Sequence, residues 1–369
     1  MSDSFYVVYE QYSKYDLAAF FQKVADRDVF GACSKENLTA EDLLTLLSPQ
    51  AQLQLEPMAK RASALTIQYF GRVIFLYAPL YLSNLCDNEC VYCGFKKSNN
   101  IERKQLSLAE VEEEAKAIAA TGIKHILILT GESKIHTPLS YLKDSVSLLK
   151  NYFSSISLEI YPLEKNEYRE LVDLGVDGLT IYQETYDEKL YQELHRGGAK
   201  SNFLYRLDTP ERACRAKMRS VGVGALLGLA PFRREVFLTG LHARYLQDKY
   251  PDVEISVSLP RIQPQVSNFS PAHRLSDTDL VQALLALRLF LPRVGINLST
   301  RENSHLRDNL IGLGVTRMSA GSKTFVGGYA SKEVGECQFA VSDQRSAAEI
   351  KIAIRQKGCQ PVMKDWQLI

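Results

Sequence analysis

The sequence predicts an α/β fold, a parallel (β/α)8 barrel of the TIM type with an N-terminal helical extension and a short C-terminal cap. From Pro79 onward, short apolar segments alternate with amphipathic helical segments, as they do in parallel sheets flanked by helices. The apolar segments number eight, which is the strand count of a closed barrel. An open doubly wound sheet is the alternative, because a count of repeats does not prove closure. Helical segments end at the glycines expected just beyond a helix C-terminus, namely Gly122, Gly175, Gly222 and Gly312.

The predicted elements divide the chain into three parts. Residues 1–75 form the helical extension, with one helix beginning near Asp16, a second capped by Thr39 and a third from Pro57 to Gly71. Residues 76–330 form the barrel, and residues 331–369 form the cap, which ends in the segment Val362–Trp366. The predicted strands are Leu80–Ser83, His125–Leu129, Ile156–Ile160, Gly178–Tyr182, Val221–Leu226, Glu254–Ser258, Gly295–Leu298 and Val315–Ser319.

Composition and charge exclude several classes of function. The 369 residues are 46% hydrophobic and 24% charged, with a formal net charge of +1, so no overall field favours nucleic acid or an acidic membrane surface. No run reaches the ~20 apolar residues of a membrane span. The N-terminus carries charges and lacks the apolar stretch of a secretory signal. We therefore expect a cytoplasmic protein.

Three of the seven cysteines cluster within eight residues, as Cys86, Cys90 and Cys93. They follow the first predicted barrel strand, and barrel enzymes carry their chemistry in such strand-end loops. Three thiolates at this spacing can bind three irons of a cubane cluster, whereas complete protein ligation normally takes four cysteines. One iron then remains free for a small molecule. A structural zinc site is the alternative, although it would need a fourth ligand from a distant residue.

This cysteine segment resembles the signature of the radical S-adenosylmethionine (SAM) superfamily, Cys-x3-Cys-x2-Cys with an aromatic residue, here Tyr92, before the last cysteine. The resemblance implies a [4Fe–4S] cluster on Cys86, Cys90 and Cys93 whose free iron chelates SAM. It further implies reductive cleavage of SAM to methionine and a 5′-deoxyadenosyl radical. Tyr92 is then expected beside the adenine.

Residues at other strand ends extend the resemblance. Gly131 and Glu132, after the second strand, resemble the motif whose backbone receives the SAM amino group. Glu184, after the fourth strand, resembles the carboxylate that binds the SAM ribose, and Arg206 the arginine that binds the SAM carboxylate. A turn glycine and a solvated surface arginine are the plain alternatives.

Longer segments narrow the resemblance to one family. They are Cys93–Phe95, Tyr182–Tyr186, Asp208–Cys214, Leu298–Glu302, Ser319–Ser322 and the C-terminal Val362–Trp366. Together they resemble the 2-iminoacetate synthases, the tyrosine lyases of thiamine biosynthesis. The resemblance implies cleavage of the Cα–Cβ bond of L-tyrosine to 2-iminoacetate (dehydroglycine) and 4-methylphenol (p-cresol). It places Arg301 and Ser319 at the amino-acid-binding positions, although Arg301 could instead pair with Glu302 at the surface.

The same resemblance implies partners and leaves two alternatives. A flavodoxin or ferredoxin is expected as electron donor, and thiazole synthase as a partner in a complex. The related tyrosine lyase of [FeFe]-hydrogenase maturation is one alternative, but its second cysteine motif has no counterpart here, since Cys337 and Cys359 stand singly. A non-catalytic iron–sulfur or zinc scaffold is the other.

Overall fold

The computed structural model describes residues 4–267, 269–331 and 335–364. Asp365 and Trp366, at the end of the predicted C-terminal segment, lie outside these residues. Among the described helices, none has the length and apolar character needed to cross a membrane.

Six helices form the N-terminal extension: α1 (Phe5–Ser13), α2 (Leu17–Phe21), α3 (Asp26–Ser34), α4 (Ala40–Leu46), α5 (Pro49–Gln52) and α6 (Leu55–Phe70). Thr39 caps α4 as predicted, because its hydroxyl accepts the Asp42 N–H while the Asp42 carboxylate accepts the Thr39 N–H. The apolar faces of these helices join the main core, so the extension packs against the barrel.

The strands of the barrel are β1 (Val73–Ser83), β2 (His125–Thr130), β3 (Ser155–Glu159), β4 (Gly178–Glu184), β5 (Ser220–Ala225), β6 (Glu254–Ser258), β7 (Gly295–Leu298) and β8 (Arg317–Ser319). The helices that accompany them are α7 (Leu108–Ala120), α8 (Leu139–Leu149), α9 (Lys165–Leu174), α10 (Glu188–Leu194), α11 (Phe203–Leu207), α12 (Thr209–Arg215), α13 (Phe232–Lys249), α14 (Asp277–Phe290) and α15 (Ser304–Leu310). A short 3-10 helix, Ala199–Ser201, precedes α11.

The sheet closes on itself, which confirms the predicted barrel and excludes the open sheet. Each strand pairs in parallel with the next, from β2 to β8. β1 completes the circle: Ala78 lies opposite Ile126 of β2, and Phe75 lies opposite Arg317 of β8. The carboxyl ends of all eight strands therefore surround one opening, where the predicted site residues should meet.

The first strand begins seven residues earlier than the predicted Leu80, at Val73. A proline ordinarily marks the start or the edge of a strand, and the prediction therefore began after Pro79. The structure instead carries the strand through Pro79, which lies opposite Leu127. The additional residues lengthen β1 at its N-terminal end, where a further strand can pair with it.

The C-terminal residues close both ends of the barrel. Helix α16 (Ala347–Gln356) leads to strand β9 (Gln360–Val362), which pairs with the start of β1 through Val73–Phe75. Residues 335–343, which we call the strap, cross the opposite end. The Gln338 N–H donates to the Thr324 carbonyl, and the Gly94 N–H donates to the Gln338 carbonyl. The strap therefore lies against the loop after β1 that carries the three clustered cysteines, here called the cysteine loop.

Candidate active site

The three clustered cysteines lie in the loop that follows β1. Arg103 shapes this loop, because its guanidinium donates to the carbonyls of Asn84, Phe95 and Lys96 at 2.8, 2.9 and 2.6 Å. A delocalised cation with several fixed N–H groups can hold several carbonyls at once. The loop thus has a set shape before any ligand binds.

The thiols of Cys86, Cys90 and Cys93 face one cavity and form no disulfide. Burial raises the pKa of Cys86 to about 12, and it also raises the pKa values of Cys90 and Cys93. Iron would displace the thiol protons on binding. Within the described residues, no three His, Cys, Asp or Glu side chains converge tightly enough for a single metal ion. A cubane takes one thiolate per iron, so three thiols on one cavity match three irons of a [4Fe–4S] cluster.

Gly131 brings the loop after β2 against the cysteine loop. Its N–H donates to the Ser83 carbonyl at 2.7 Å, and the Glu132 carbonyl accepts the Asp87 N–H at 3.1 Å. A Cβ atom on Gly131 would lie 2.2 Å from the Leu85 carbonyl oxygen. A glycine is therefore required here by the close approach of two loops.

Glu132 and Arg206 form a buried ion pair on one wall of the cavity. The carboxylate accepts from Arg206 Nη1 at 3.0 Å and from Asn88 Nδ2 at 3.0 Å. Burial opposes ionisation of Glu132, but the charges of Arg206 and Lys200 outweigh it and lower its pKa. Arg206 is only 5% exposed and donates to the Tyr182 carbonyl at 2.6 Å, so it is not a solvated surface residue.

Glu184 projects into the same cavity from an unusual backbone conformation. Its φ is +70°, and the β4–β5 pairing is irregular between Tyr182 and Glu184. A non-glycine residue in the left-handed region costs energy, and such residues cluster at functional sites. The distortion coincides with the end of β4, where the carboxylate leaves the sheet and meets Lys200 Nζ at 2.7 Å.

Lys200 is a site residue that sequence reasoning missed. It is 9% exposed, and its backbone N–H donates to Asn88 Oδ1 at 3.0 Å. The preceding Gly198 has a φ of +85°, and a Cβ atom there would lie 2.1 Å from Asn88 Oδ1. The Gly-Gly pair before Lys200 was therefore the available signal of a close approach to the cysteine loop.

Tyr92 lies in a small apolar cluster beside Cys90. The cluster also contains Leu194, Leu226 and Leu229. The Tyr92 hydroxyl lies 2.7 Å from His195 Nε2, and His195 Nδ1 lies 2.7 Å from the Tyr191 carbonyl. Burial lowers the pKa of His195 to about 3, so the ring is neutral, donates from Nδ1 and accepts the tyrosine proton at Nε2.

Arg301 faces a second cavity that adjoins the first. Its guanidinium stacks on Phe339 of the strap, 3.3 Å from the ring centroid. The alternative surface pair with Glu302 is wrong, because Glu302 instead binds Arg261, whose Nε lies 2.9 Å from Oε2. Ser319 lies behind this site: its hydroxyl accepts the Thr300 N–H at 3.0 Å, and it holds the Arg301 loop without lining the cavity.

Glu159, at the end of β3, was also missed. Its side chain lines both cavities, together with Cys93 and Glu184. It forms no hydrogen bond and no ion pair with any residue that the structure describes. The signal in the sequence was its position, since it is the one charged residue of the predicted strand Ile156–Ile160.

Comparison with known proteins identifies the family. A family model of the radical SAM superfamily matches residues 80–232, and one of the biotin and thiamin synthesis associated domain matches residues 258–360. The chain is 42% identical over 340 residues to the 2-iminoacetate synthase of Escherichia coli, covering 92% of this chain and 90% of that one. The chain belongs to the 2-iminoacetate synthase family. This radical SAM family uses a [4Fe–4S] cluster and SAM, which the three thiols and the charged cavity fit.

Solved structures support the family's fold. The hydrogenase maturase HydG from Carboxydothermus hydrogenoformans is 34% identical, with a TM-score of 0.83, 97% of this chain covered and 82% of that one. Another HydG structure has a TM-score of 0.86 at 29% identity, covering 96% of this chain and 78% of that one. Methylornithine synthase, at 22% identity and a TM-score of 0.74, shares the fold.

Cys337 and Cys359 lie at opposite ends of the barrel. Cys337 belongs to the strap, and its carbonyl lies beside Gly94 of the cysteine loop. Cys359 precedes β9, which pairs with the first residues of β1. The ten steps between the 11 residues of β1 span about 33 Å at ~3.3 Å per step. These two thiols therefore do not converge on a common cluster.

Proposed function

We propose that this enzyme cleaves the Cα–Cβ bond of L-tyrosine to 2-iminoacetate and 4-methylphenol, with reductive cleavage of SAM to 5′-deoxyadenosine and methionine. The observation that carries the proposal is the position of Arg301, a guanidinium without an ion pair among the described residues, in a cavity that adjoins the three thiols. A planar guanidinium suits two-point binding of a carboxylate. The name of the 42% identical relative, 2-iminoacetate synthase, supports the same reaction.

Different residues of the two cavities would bind the cluster and SAM. Cys86, Cys90 and Cys93 would hold three irons of the cluster. When bound, the cluster and SAM supply the electron transfer and the hydrogen-atom abstraction on which radical cleavage depends. The residues proposed to bind SAM are Tyr92, Gly131, Glu132, Glu184 and Arg206.

Arg301 would hold the tyrosine carboxylate, and the ring of Phe339 fixes the plane of its guanidinium. We also propose that Ser319 contributes to the amino-acid site by holding the backbone next to Arg301, which its hydrogen bond with the Thr300 N–H supports. Fixing the amine close to the site of hydrogen abstraction is the main task of these residues, because positioning alone can supply ~7–11 kcal/mol toward a barrier.

Two protein partners belong to the proposal. A flavodoxin or ferredoxin would supply two electrons, one for the cleavage of SAM and one that, with a proton, completes 4-methylphenol. Thiazole synthase would receive 2-iminoacetate for thiamine biosynthesis. A short-lived imine product favours direct transfer, since it hydrolyses in water to glyoxylate and ammonia.

The test is anaerobic incubation of the reconstituted protein with tyrosine, SAM and dithionite, followed by identification of the products. We expect 4-methylphenol, 5′-deoxyadenosine and glyoxylate. The Cys86→Ala, Cys90→Ala and Cys93→Ala variants should lose the cluster absorption and all SAM cleavage. Cys33→Ala and Cys214→Ala are the matched controls, because both thiols lie in the apolar core. A SAM-competent cluster in the triple variant would overturn the assignment, and a scaffold would form no 5′-deoxyadenosine.

A further inference from the structure

Three carboxylates and three basic side chains face the two adjoining cavities. They are Glu132, Glu159, Glu184, Lys200, Arg206 and Arg301. Four of the six neutralise one another: Arg206 lies 3.0 Å from Glu132, and Lys200 lies 2.7 Å from Glu184. Glu159 and Arg301 are the two that remain.

Neither remaining group has a charged partner in the part of the chain that the structure describes. Arg301 makes a stacking contact with Phe339 and a long hydrogen bond, 3.5 Å, to the Arg261 carbonyl. Glu159 makes no hydrogen bond with any residue that the structure describes. An isolated charge in a low-dielectric site is costly unless a partner of opposite sign is supplied. One cavity thus presents to its ligand a carboxyl group and a guanidinium that have no ion-pair partner among the described residues.

We propose that Glu159 binds the ammonium group of the amino acid whose carboxylate Arg301 binds. The inference rests on the proposed function, and it names the residue that recognises the second charge of the substrate. An α-amino acid carries one ammonium and one carboxylate, which match the two unpaired groups in sign and number. Because Glu159 also lines the cavity of the three thiols, this contact would hold the amine on the side facing the cluster, where its hydrogen is abstracted.

The electrostatics of the cavity agree with this geometry. Burial and the neighbouring charge of Glu184 raise the pKa of Glu159 to about 7. A bound ammonium would offset both effects, whereas a ligand without an amine would leave the carboxylate uncompensated. The cavity should therefore discriminate strongly between an amino acid and its deaminated analogue.

The experiment compares two ligands that differ only in the amino group. L-Tyrosine and 3-(4-hydroxyphenyl)propanoate are titrated by calorimetry into the unreduced, cluster-loaded protein with SAM bound, so that no turnover occurs. We expect the wild type to prefer tyrosine by roughly tenfold to hundredfold, the range of a buried charge-assisted hydrogen bond. Glu159→Gln should remove most of that preference by weakening tyrosine alone. Arg301→Lys should weaken both ligands, and Glu193→Gln, at an exposed position on α10, should change neither.

Several outcomes would overturn the inference. An unchanged preference for tyrosine in Glu159→Gln would show that the carboxylate does not contact the amine. Weaker SAM binding with unchanged tyrosine binding would place Glu159 at the SAM site instead. Equal weakening of both ligands, with iron content preserved, would reduce Glu159 to a structural role. If the wild type forms no 4-methylphenol, the proposed function fails. If the wild type cleaves tyrosine and Glu159→Gln still prefers tyrosine over the deaminated analogue, only this inference is contradicted.

Discussion

Arg301 is half-buried in its cavity, and its guanidinium keeps an edge that a ligand can reach. The face of its guanidinium is covered by Phe339, so the plane of the five N–H donors is fixed without using them. Stacking of this kind is specific to arginine, since an ammonium is a point charge without a plane. The Phe339 contact therefore prepares Arg301 to bind a carboxylate at two points.

We predict that Arg301→Lys lowers kcat/KM for tyrosine by roughly ten- to a hundredfold. A charge-assisted hydrogen bond of this type contributes about 1.5–3 kcal/mol, and each 1.36 kcal/mol corresponds to about tenfold in rate. Iron content and tyrosine-independent SAM cleavage should remain measurable, because Arg301 does not line the cavity that all three cysteines share. Near-normal formation of 4-methylphenol by the lysine variant would remove Arg301 from the substrate site.

Glu159 should also give the reaction a pH dependence near neutrality. Its pKa of about 7 results from burial and from Glu184. The charged groups that face it are Glu184 on β4, Lys200 on the 3-10 helix, Arg206 on α11 and Arg301 after β7, and the tyrosines near it are Tyr77, Tyr81 and Tyr182. A raised pKa means that the carboxylate is neutral below pH 7 and cannot attract an ammonium there.

We therefore predict that kcat/KM for tyrosine rises with pH and levels off above about pH 7, since this parameter reports groups of the free enzyme. Glu159→Gln should lose the acidic limb of the profile. Glu235 also has a pKa of about 7, raised by burial, but its carboxylate binds Thr185 and the Tyr186 N–H. If the limb persists in Glu159→Gln and disappears in Glu235→Gln, Glu235 is its source.

At the scale of elements, the loops after β1 and β2 form one unit around Gly131. We predict that Gly131→Ala lowers cluster occupancy severalfold, measured as iron per chain after reconstitution, because the added methyl would meet the Leu85 carbonyl at 2.2 Å. The clash is with backbone, so the cysteine loop must move. Gly31→Ala is the matched control, since nothing lies within 4 Å of its Cβ position and its φ is ordinary. Full iron loading in Gly131→Ala would show that the loops are not coupled.

Strand order explains which parts of the site could be predicted. Cys86, Glu132 and Arg301 each closely follow a barrel strand, and Glu184 ends one. The alternation of strands and helices was therefore enough to bring them to one opening. Glu159 sits at the same position of β3, but a single strand-end carboxylate carries no chemical signature. The structure is needed to show that the neighbouring charged groups pair with one another and leave Glu159 without an ion-pair partner among the described residues.

Residues far from a strand end could not be placed from the sequence. Lys200 reaches the cavity because Asn88 binds its backbone, a contact across more than a hundred residues of sequence. The strap is a second case: Tyr81 donates to Gln338 Oε1 at 2.7 Å, which directs Gln338 Nε2 toward Cys93 Sγ at 3.9 Å. Neither contact follows from a local pattern, because tertiary packing alone decides it.

At the scale of the whole molecule, the candidate active site and the C-terminal strand that extends the sheet lie at opposite ends of the barrel. The thiols, the charged cavities and the strap lie at the carboxyl ends of the strands, while β9 and α16 complete the sheet at the other end. The C-terminal residues thus contribute to both ends. Cys337 and Cys359 are likewise at opposite ends. Their separation bears on the choice between a 2-iminoacetate synthase and the related hydrogenase maturase.

We predict that the reconstituted protein carries about four irons per chain, the content of one cubane. Cys337 lies beside the cysteine loop and Cys359 beside the first residues of β1, so these positions are at opposite ends of a strand about 33 Å long. Tyrosine turnover should therefore stop at 2-iminoacetate, detected as glyoxylate and ammonia. Cys337→Ala and Cys359→Ala should leave iron content and 4-methylphenol formation unchanged. Roughly eight irons per chain, together with carbon monoxide or cyanide among the products, would instead place the protein with the hydrogenase maturases that share its fold.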